Sequence, residues 1–213
     1  MIADPFPRTT ARLVLRRFGA RDLAAFQAYR HDPEVSRYQG WSALDDAGAA
    51  AFIAEMAEAE IGVPGEWFQI AVADKPTDAL VGDIGIGFDS DRAGVGEIGF
   101  SLAPWVQGRG LGTEAVRCAL APVFESGQVE IVEGITDARN APSIRLLERV
   151  GMRLLRTQQT LFKGETCTER GYAISLMTEQ EVRLVGRYTE ELGITMTAAM
   201  VREGQVFLAE ERH

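Results

Sequence analysis

Cysteine and histidine are nearly missing from this 213-residue chain, with two of each. Cys118 falls in a predicted helix and Cys167 in a predicted strand, so both suit small buried apolar positions and neither belongs to a disulfide framework or a zinc spacing. His31 and His213 form no metal cluster, and no metal is expected. Basic charge is also scarce: 22 Lys and Arg stand against 31 Asp and Glu, for a net charge of −9 and a pI near 4.9. That balance argues against a nucleic-acid partner, which a basic face would mark. An acidic surface instead tolerates or attracts a cationic substrate. No apolar run approaches membrane-spanning length, and Met-Ile-Ala-Asp-Pro-Phe-Pro at the start has neither a basic n-region nor an apolar h-region. A cytoplasmic protein without a membrane partner is the expectation. The remaining composition, 46% hydrophobic and 25% charged, is ordinary for a globular chain, and the length suits one well-cored domain, alone or with an appendage.

The most informative stretch runs from Glu97 to Ala115. It reads as a strand, a glycine-rich turn and the first turn of a helix. Gln107, Gly108, Arg109, Gly110, Leu111 and Gly112, followed by Thr113, place three glycines and an arginine where the helix begins. Glycine lets backbone approach a ligand closely, and a helix N-terminus offers unpaired N–H groups at a positive dipole end. Arg109 adds a charge that does not titrate. The combination is a pyrophosphate cradle; the bland alternative is a loop that only turns the chain. A Walker A loop is excluded because the loop holds no lysine, and the glycine spacing is not that of the dinucleotide fingerprint.

Strands are predicted over Leu13–Leu15, Trp67–Ala73, Leu80–Phe88, Gly96–Leu102, Val129–Thr136, 152–162 and 167–177. Helices are predicted over 20–30, 43–60 (opened by a capping box at Ser42 to Asp45), 110–124 and from Pro142 to Val150, with Gly151 as the stop. Residues 31–41 read as an irregular, aromatic-bearing link. The tail reads as a capped helix through Val182, Val185, Thr189 and Leu192, then a hairpin of Ile194–Val201 and Val206–Ala209. Its apolar residues need cover, either on the chain's own core or on a second copy; a homodimer is the expectation.

Within the strand from Gly96, Ile98, Phe100 and Leu102 alternate with Glu97, Gly99 and Ser101, so a carboxylate shares a face with small residues beside the loop. Glu97 is a candidate general base, or else a strand-end partner of an arginine. Asn140 and Ser143 open the next helix, and capping is the bland reading of both. Trp105 reads as an apolar packing residue.

Gln107-Gly-Arg-Gly110-Leu-Gly112 fits Q/R-x-x-G-x-G/A, and Asn140, Ser143, Leu146 and Gly151 fit N-x-x-A/S-x-x-L-Y-x-x-x-G except at the tyrosine, which is Leu147. With the order of elements, this resembles the GCN5-related N-acetyltransferases (the GNAT superfamily), and its ribosomal-protein (RimJ/RimL-like) subgroup, over roughly residues 9–177. The resemblance implies an α/β fold: a mixed, mostly antiparallel twisted sheet of about seven strands with flanking helices. It implies an acetyltransferase domain over 1–177 and a helix-hairpin extension over 178–213. It further implies acetyl-CoA as co-substrate, held by Gln107 to Thr113, by the strand end at Leu102 and by Asn140. The partner is an amine acceptor, met by Arg37, Tyr38, Gln39 and Trp41, unless those aromatics only cap the helix pair. Glu97 serves as base. Ser143 stands in as acid for the missing tyrosine. The acceptor is a protein N-terminus or a small amine such as an aminoglycoside or polyamine. The rival of another class is an acyl-CoA sensor or assembly module with a degenerate site.

Overall fold

The computed structural model describes residues 2–176 and the strand backbones of 198–202 and 205–208. The elements are β1 (Arg8–Thr9), β2 (Leu13–Arg16), a 3-10 turn at Ala20–Asp22, α1 (Leu23–Arg30), α2 (Pro33–Ser36) and α3 (Asp46–Glu58). Then come β3 (Trp67–Asp74), β4 (Leu80–Phe88), β5 (Val95–Leu102), α4 (Leu111–Glu125), β6 (Ile131–Asp137) and α5 (Ala141–Val150). β7 (Arg153–Phe162), β8 (Glu165–Leu176), β9 (Ala198–Arg202) and β10 (Gln205–Leu208) complete the order. Among the described residues, the ten strands form one sheet, β1-β2-β3-β4-β5-β6-β8-β9-β10, with β7 also on β8. Among these strands, only the β5–β6 and β8–β9 pairs are parallel. The expected α/β architecture, mostly antiparallel with flanking helices, is therefore present. The strands beyond the expected seven are the two-residue β1 and the hairpin β9–β10.

Local chemistry corrects several boundaries. The cap of α3 is Asp45, whose carboxylate accepts from Gly48 N at 2.8 Å, and Ser42 lies outside the helix. The supposedly irregular link contains α2, opened by Asp32 accepting from Glu34 N at 2.8 Å with Pro33 at the first helical position. In the predicted tail hairpin, β9 pairs in parallel with β8 of its own chain at Ser175 and Leu176, and β10 ends the sheet. The helix expected over 182–192 lies outside the described residues.

The helices cover opposite faces of the sheet. A Cβ at Gly112 of α4 would come within 2.9 Å of Leu102, and one at Gly134 within 2.8 Å of Leu147 of α5. Leu102 and Gly134 therefore mark the face under α4 and α5. On the other face, Tyr29 and Arg30 of α1 bond to Asp83 of β4. The core is continuous through the sheet, with Leu13, Leu15, Phe68, Ile70, Ile84 and Ile86 nearly inaccessible.

One irregularity positions everything that follows. β5 and β6 pair only through Val95–Ile131, Gly96–Val132 and Glu97–Glu133. Beyond that point β5 continues to Leu102 and β6 to Asp137 without pairing, so the two strands part and open the sheet.

Candidate active site

Two cavities lie against the parted strands, one on each face. The first, of about 710 Å³, is walled by the loop before α4, the start of α5 and the end of β5. Gly108 and Gly110 sit at φ 74° and 77°, a left-handed backbone that glycine adopts without strain. Gly110 caps α4, and the first helical bond runs from Glu114 N to Gly110 O at 3.2 Å. The N–H groups of Leu111, Gly112 and Thr113 thus have no protein acceptor among the described residues, as helix geometry requires. Gly112 is fixed for another reason: a Cβ there would meet Leu146 at 2.6 Å. Gln107, Gly108, Gly110, Gly112 and Thr113 all line the cleft, whereas the side chains of Arg109 and Leu111 do not. Arg109 is exposed, and its carbonyl accepts from Arg12 Nη1 at 3.0 Å.

Arg12 is a residue that sequence reasoning missed. Its Nε donates to Glu114 Oε2 at 2.7 Å, and Glu114 also accepts from Thr10 Oγ1 at 2.5 Å, which ties the loop and α4 to the start of β2. Burial pushes the Glu114 carboxyl up, but Thr10 and Arg12 outweigh it and hold the group below the usual range.

Leu102 lines the same cleft, and its carbonyl accepts from Gln107 Nε2 at 2.8 Å. Asn140 and Ser143 line it too. Asn140 does act as the α5 cap, accepting from Ser143 N at 3.3 Å. Leu147 is 1% exposed and packs under the cleft, so the family's tyrosine position is wholly apolar. Trp105, expected to pack, is instead 54% exposed on the 3-10 turn before the loop.

The second cavity, of about 620 Å³, is floored by one face of the sheet, and the strand register shows how. Trp67 and Gln69 of β3 face Gly87 and Gly85 of β4, which face Glu97 and Gly99 of β5. Asp83 faces Ser101 on β5, Asp137 of β6 faces Glu169 of β8, and Thr160 of β7 faces Cys167. The glycines matter because Trp67 lies across them: a Cβ at Gly87 would meet its ring at 2.7 Å. Tyr38 and Trp41 form the rim, with Trp41 stacked at 4.0 Å on Arg30, which in turn bonds Asp83 Oδ2 at 2.6 Å. Arg37 lines only the first cavity and ion-pairs with Glu34 at 3.8 Å on the surface. Tyr38 and Gln39 line both cavities.

Glu97 stands at the apex where β5 and β6 part. It is half-buried and makes no ion pair among the described residues, so the arginine-partner alternative fails. Burial, then the neighbouring Glu133 charge, raises its carboxyl above the usual glutamate range, against the pull of Arg156 and Arg92. Glu133 itself is buried and held by Arg92 Nη1 at 2.7 Å and Arg156 Nη1 at 3.0 Å. A half-buried carboxylate with raised proton affinity, lining the second cavity one residue before the stretch of β5 that both cavities share, can remove a proton there.

The two cysteines are free and buried. Burial pushes the Cys118 thiol up to about 11, and burial followed by Asp137 raises Cys167, so neither is an activated nucleophile.

The family model described as "Acetyltransferase (GNAT) domain" matches residues 12–153, more than half of the chain. The chain belongs to the GNAT acetyltransferase family. Within it, the chain is 29% identical over 138 residues to the uncharacterized N-acetyltransferase p20 of Bacillus licheniformis, covering 65% of this chain and 77% of that one. Its fold matches the GNAT-family acetyltransferase of Bacillus anthracis with a TM-score of 0.67 at 23% identity, over 78% of this chain and 96% of the other. The microcin C7 self-immunity acetyltransferase MccE, solved with acetyl-CoA and AMP, has the same fold: TM-score 0.67, 14% identity, 78% of this chain and 94% of that one.

Proposed function

We propose that the protein transfers acetyl from acetyl-CoA to a primary amine by direct attack. The observation that carries this reading is the parting of β5 and β6 beyond Glu97, which joins two cavities of different chemistry through one gap. The cavity under α4 and α5 offers unpaired helix N–H groups suited to a pyrophosphate. MccE, of the same fold, binds acetyl-CoA. The opposite cavity offers aromatic walls and carboxylates, a surface for a cationic amine.

In this reading the N–H groups of the loop and of Leu111 to Thr113 hold the pyrophosphate, and the β5 end at Leu102 guides the pantetheine arm. Glu97 takes a proton from the acceptor ammonium, directly or through water, so that a neutral amine attacks the thioester carbonyl. Two thiols with raised pKa leave no evident covalent route. The acceptor is a protein N-terminus, as the ribosomal-protein subgroup resemblance implies, or a small cationic amine. The buried Leu147 is the one observation that favours the rival, an acyl-CoA sensor without turnover.

The test is purified protein with acetyl-CoA against N-terminal alanine and serine peptides, kanamycin and spermidine, reading released thiol. Turnover with one of them is expected; tight acetyl-CoA binding with none turned over establishes the sensor. Light scattering on the same sample tests the homodimer expected for this chain.

A further inference from the structure

The position at which the family resemblance puts a proton donor holds Leu147, sealed in the core at 1% exposure. An expelled thiolate therefore meets no hydroxyl from that side chain. We propose that Tyr38, from the segment after α2, is the general acid that protonates the departing sulfur. This assignment rests on the acetyl-transfer reading above and adds to it the residue that completes the proton balance.

Placement is the first argument. The side chains that line both cavities stand where thioester and amine meet, and four of them carry polar hydrogens: Tyr38, Gln39, Ser101 and Thr136. Gln39 is engaged, donating through Nε2 to Phe100 O at 3.1 Å. Ser101 and Thr136 are alkyl alcohols, far weaker acids than a phenol. A phenol at about pKa 10 is the nearest match to a thiol at about 8.5. Ser143, the acid expected from the resemblance, opens only onto the cofactor side and is again an alkyl alcohol.

Availability and rigidity are the second argument. The Tyr38 hydroxyl has no hydrogen-bond partner among the described residues, so its proton is free to be donated. The backbone around it is nonetheless pinned. Asp32 caps α2, Val35 is buried, Gln39 N bonds Ser36 O at 3.1 Å, and Lys163 Nζ reaches Ser36 O at 2.9 Å. Gln39 then fastens the next residue to β5 itself. Arg37 sits 5.3 Å from the centre of the Tyr38 ring, a cation–π contact that helps hold the ring in place.

The step balances as follows. Glu97 removes one proton from the ammonium, and the amine nitrogen forms the new C–N bond. The C–S bond breaks with its electron pair going to sulfur, and Tyr38 Oη delivers its proton there. The nitrogen sheds its second proton, which through water restores the phenol. One amide, one thiol and one net proton result.

The test is Tyr38→Phe, which keeps the ring and removes the acid. With acetyl-CoA and whichever probe of the panel above turns over, kcat should fall at least ~10-fold while calorimetric acetyl-CoA affinity changes less than ~2-fold. The basic limb of the kcat–pH profile should vanish. With p-nitrophenyl acetate, whose leaving group needs no proton, the variant should match wild type. A near-wild-type kcat with acetyl-CoA overturns the assignment, as does an equal loss on both donors, or the same signatures in Ser143→Ala instead. If Glu97→Gln is inactive while Tyr38→Phe is not, the transfer reading stands and Tyr38 alone loses its role. If wild type binds acetyl-CoA and acetylates no probe, the transfer reading falls and takes this assignment with it.

Discussion

The two cavities are built by different means although they share a wall. The cofactor-side cleft is a backbone site: a glycine loop, the unpaired N–H groups of one helix and the capped start of another. Its essential parts lie within one strand–loop–helix unit plus a helix start. The acceptor-side cavity is a side-chain site, whose floor takes two or more residues from each of six strands, β3 to β8, through their register. A backbone site suits a ligand common to a whole family. A side-chain site lets substitution at scattered positions change the acceptor while the cradle stays as it is.

That contrast is open to direct attack. The largest expected effect belongs to Asp83→Ala, which strands the buried Arg30 and removes the Tyr29 partner. Unfolding free energy from urea titration should fall by about 3–5 kcal/mol. Because the damage lies on the acceptor side, acetyl-CoA affinity of the folded fraction should hold; a parallel loss would show that the two sites are not separately built.

Glu97→Gln comes next, with kcat reduced by roughly 10²-fold at neutral pH and cofactor affinity unchanged. A rate restored at high pH, where the amine is already neutral, marks lost proton removal; a wild-type rate at neutral pH makes Glu97 structural.

Gly110→Asp attacks the other side, placing a side chain and a negative charge at φ 77° beside the unpaired N–H groups. The acetyl-CoA dissociation constant should rise at least ~10-fold. Gly110 is a cleaner probe than Gly112, where any side chain also collides with Leu146 and Leu102. Unchanged affinity in a folded Gly110 variant removes the cradle.

The smallest effect sharpens the comparison across the gap. Glu97 must be ionised to accept a proton, and its raised pKa sets the acidic limb of kcat/KM above the ordinary glutamate range. Glu133→Gln removes the adjacent like charge and leaves Arg92 and Arg156 unopposed. Both changes favour the carboxylate, so the acidic limb should move to lower pH. A limb that stays in place means another group controls it.

Legibility in the sequence follows the same division. The cradle, the Asn140 cap, the Gly151 stop and the alternation of Glu97 with Ile98 were readable because each is a short-range rule of turns, caps or strand period. Even locally, competing caps misled: Ser42 and Asp45 are both good N-caps, and it is the Asp45 carboxylate that accepts from Gly48 N. Trp105 reads as a core residue by type alone, and its place on an exposed turn left it in solvent. Asp83 and the Gly85–Gly87 alternation in an otherwise apolar strand were signals for the acceptor side, but nothing local says that Trp67 lies across those glycines.

The amino-acid order by itself determined most of the elements and the glycine-rich start of α4, since these depend on residues within a few positions of one another, whereas the mixed sheet followed from the family resemblance. Which carboxylate is paired and which is free was decided only in three dimensions. Glu133 pairs with Arg92 and Arg156 from distant segments, while Glu97, its neighbour in register, makes no ion pair among the described residues. Likewise only the fold brings Tyr38 to the gap that Leu147 leaves without a donor. Proton affinity and reactivity depend on burial and on charges far away in the chain, and those distances exist only once the sheet has closed its register.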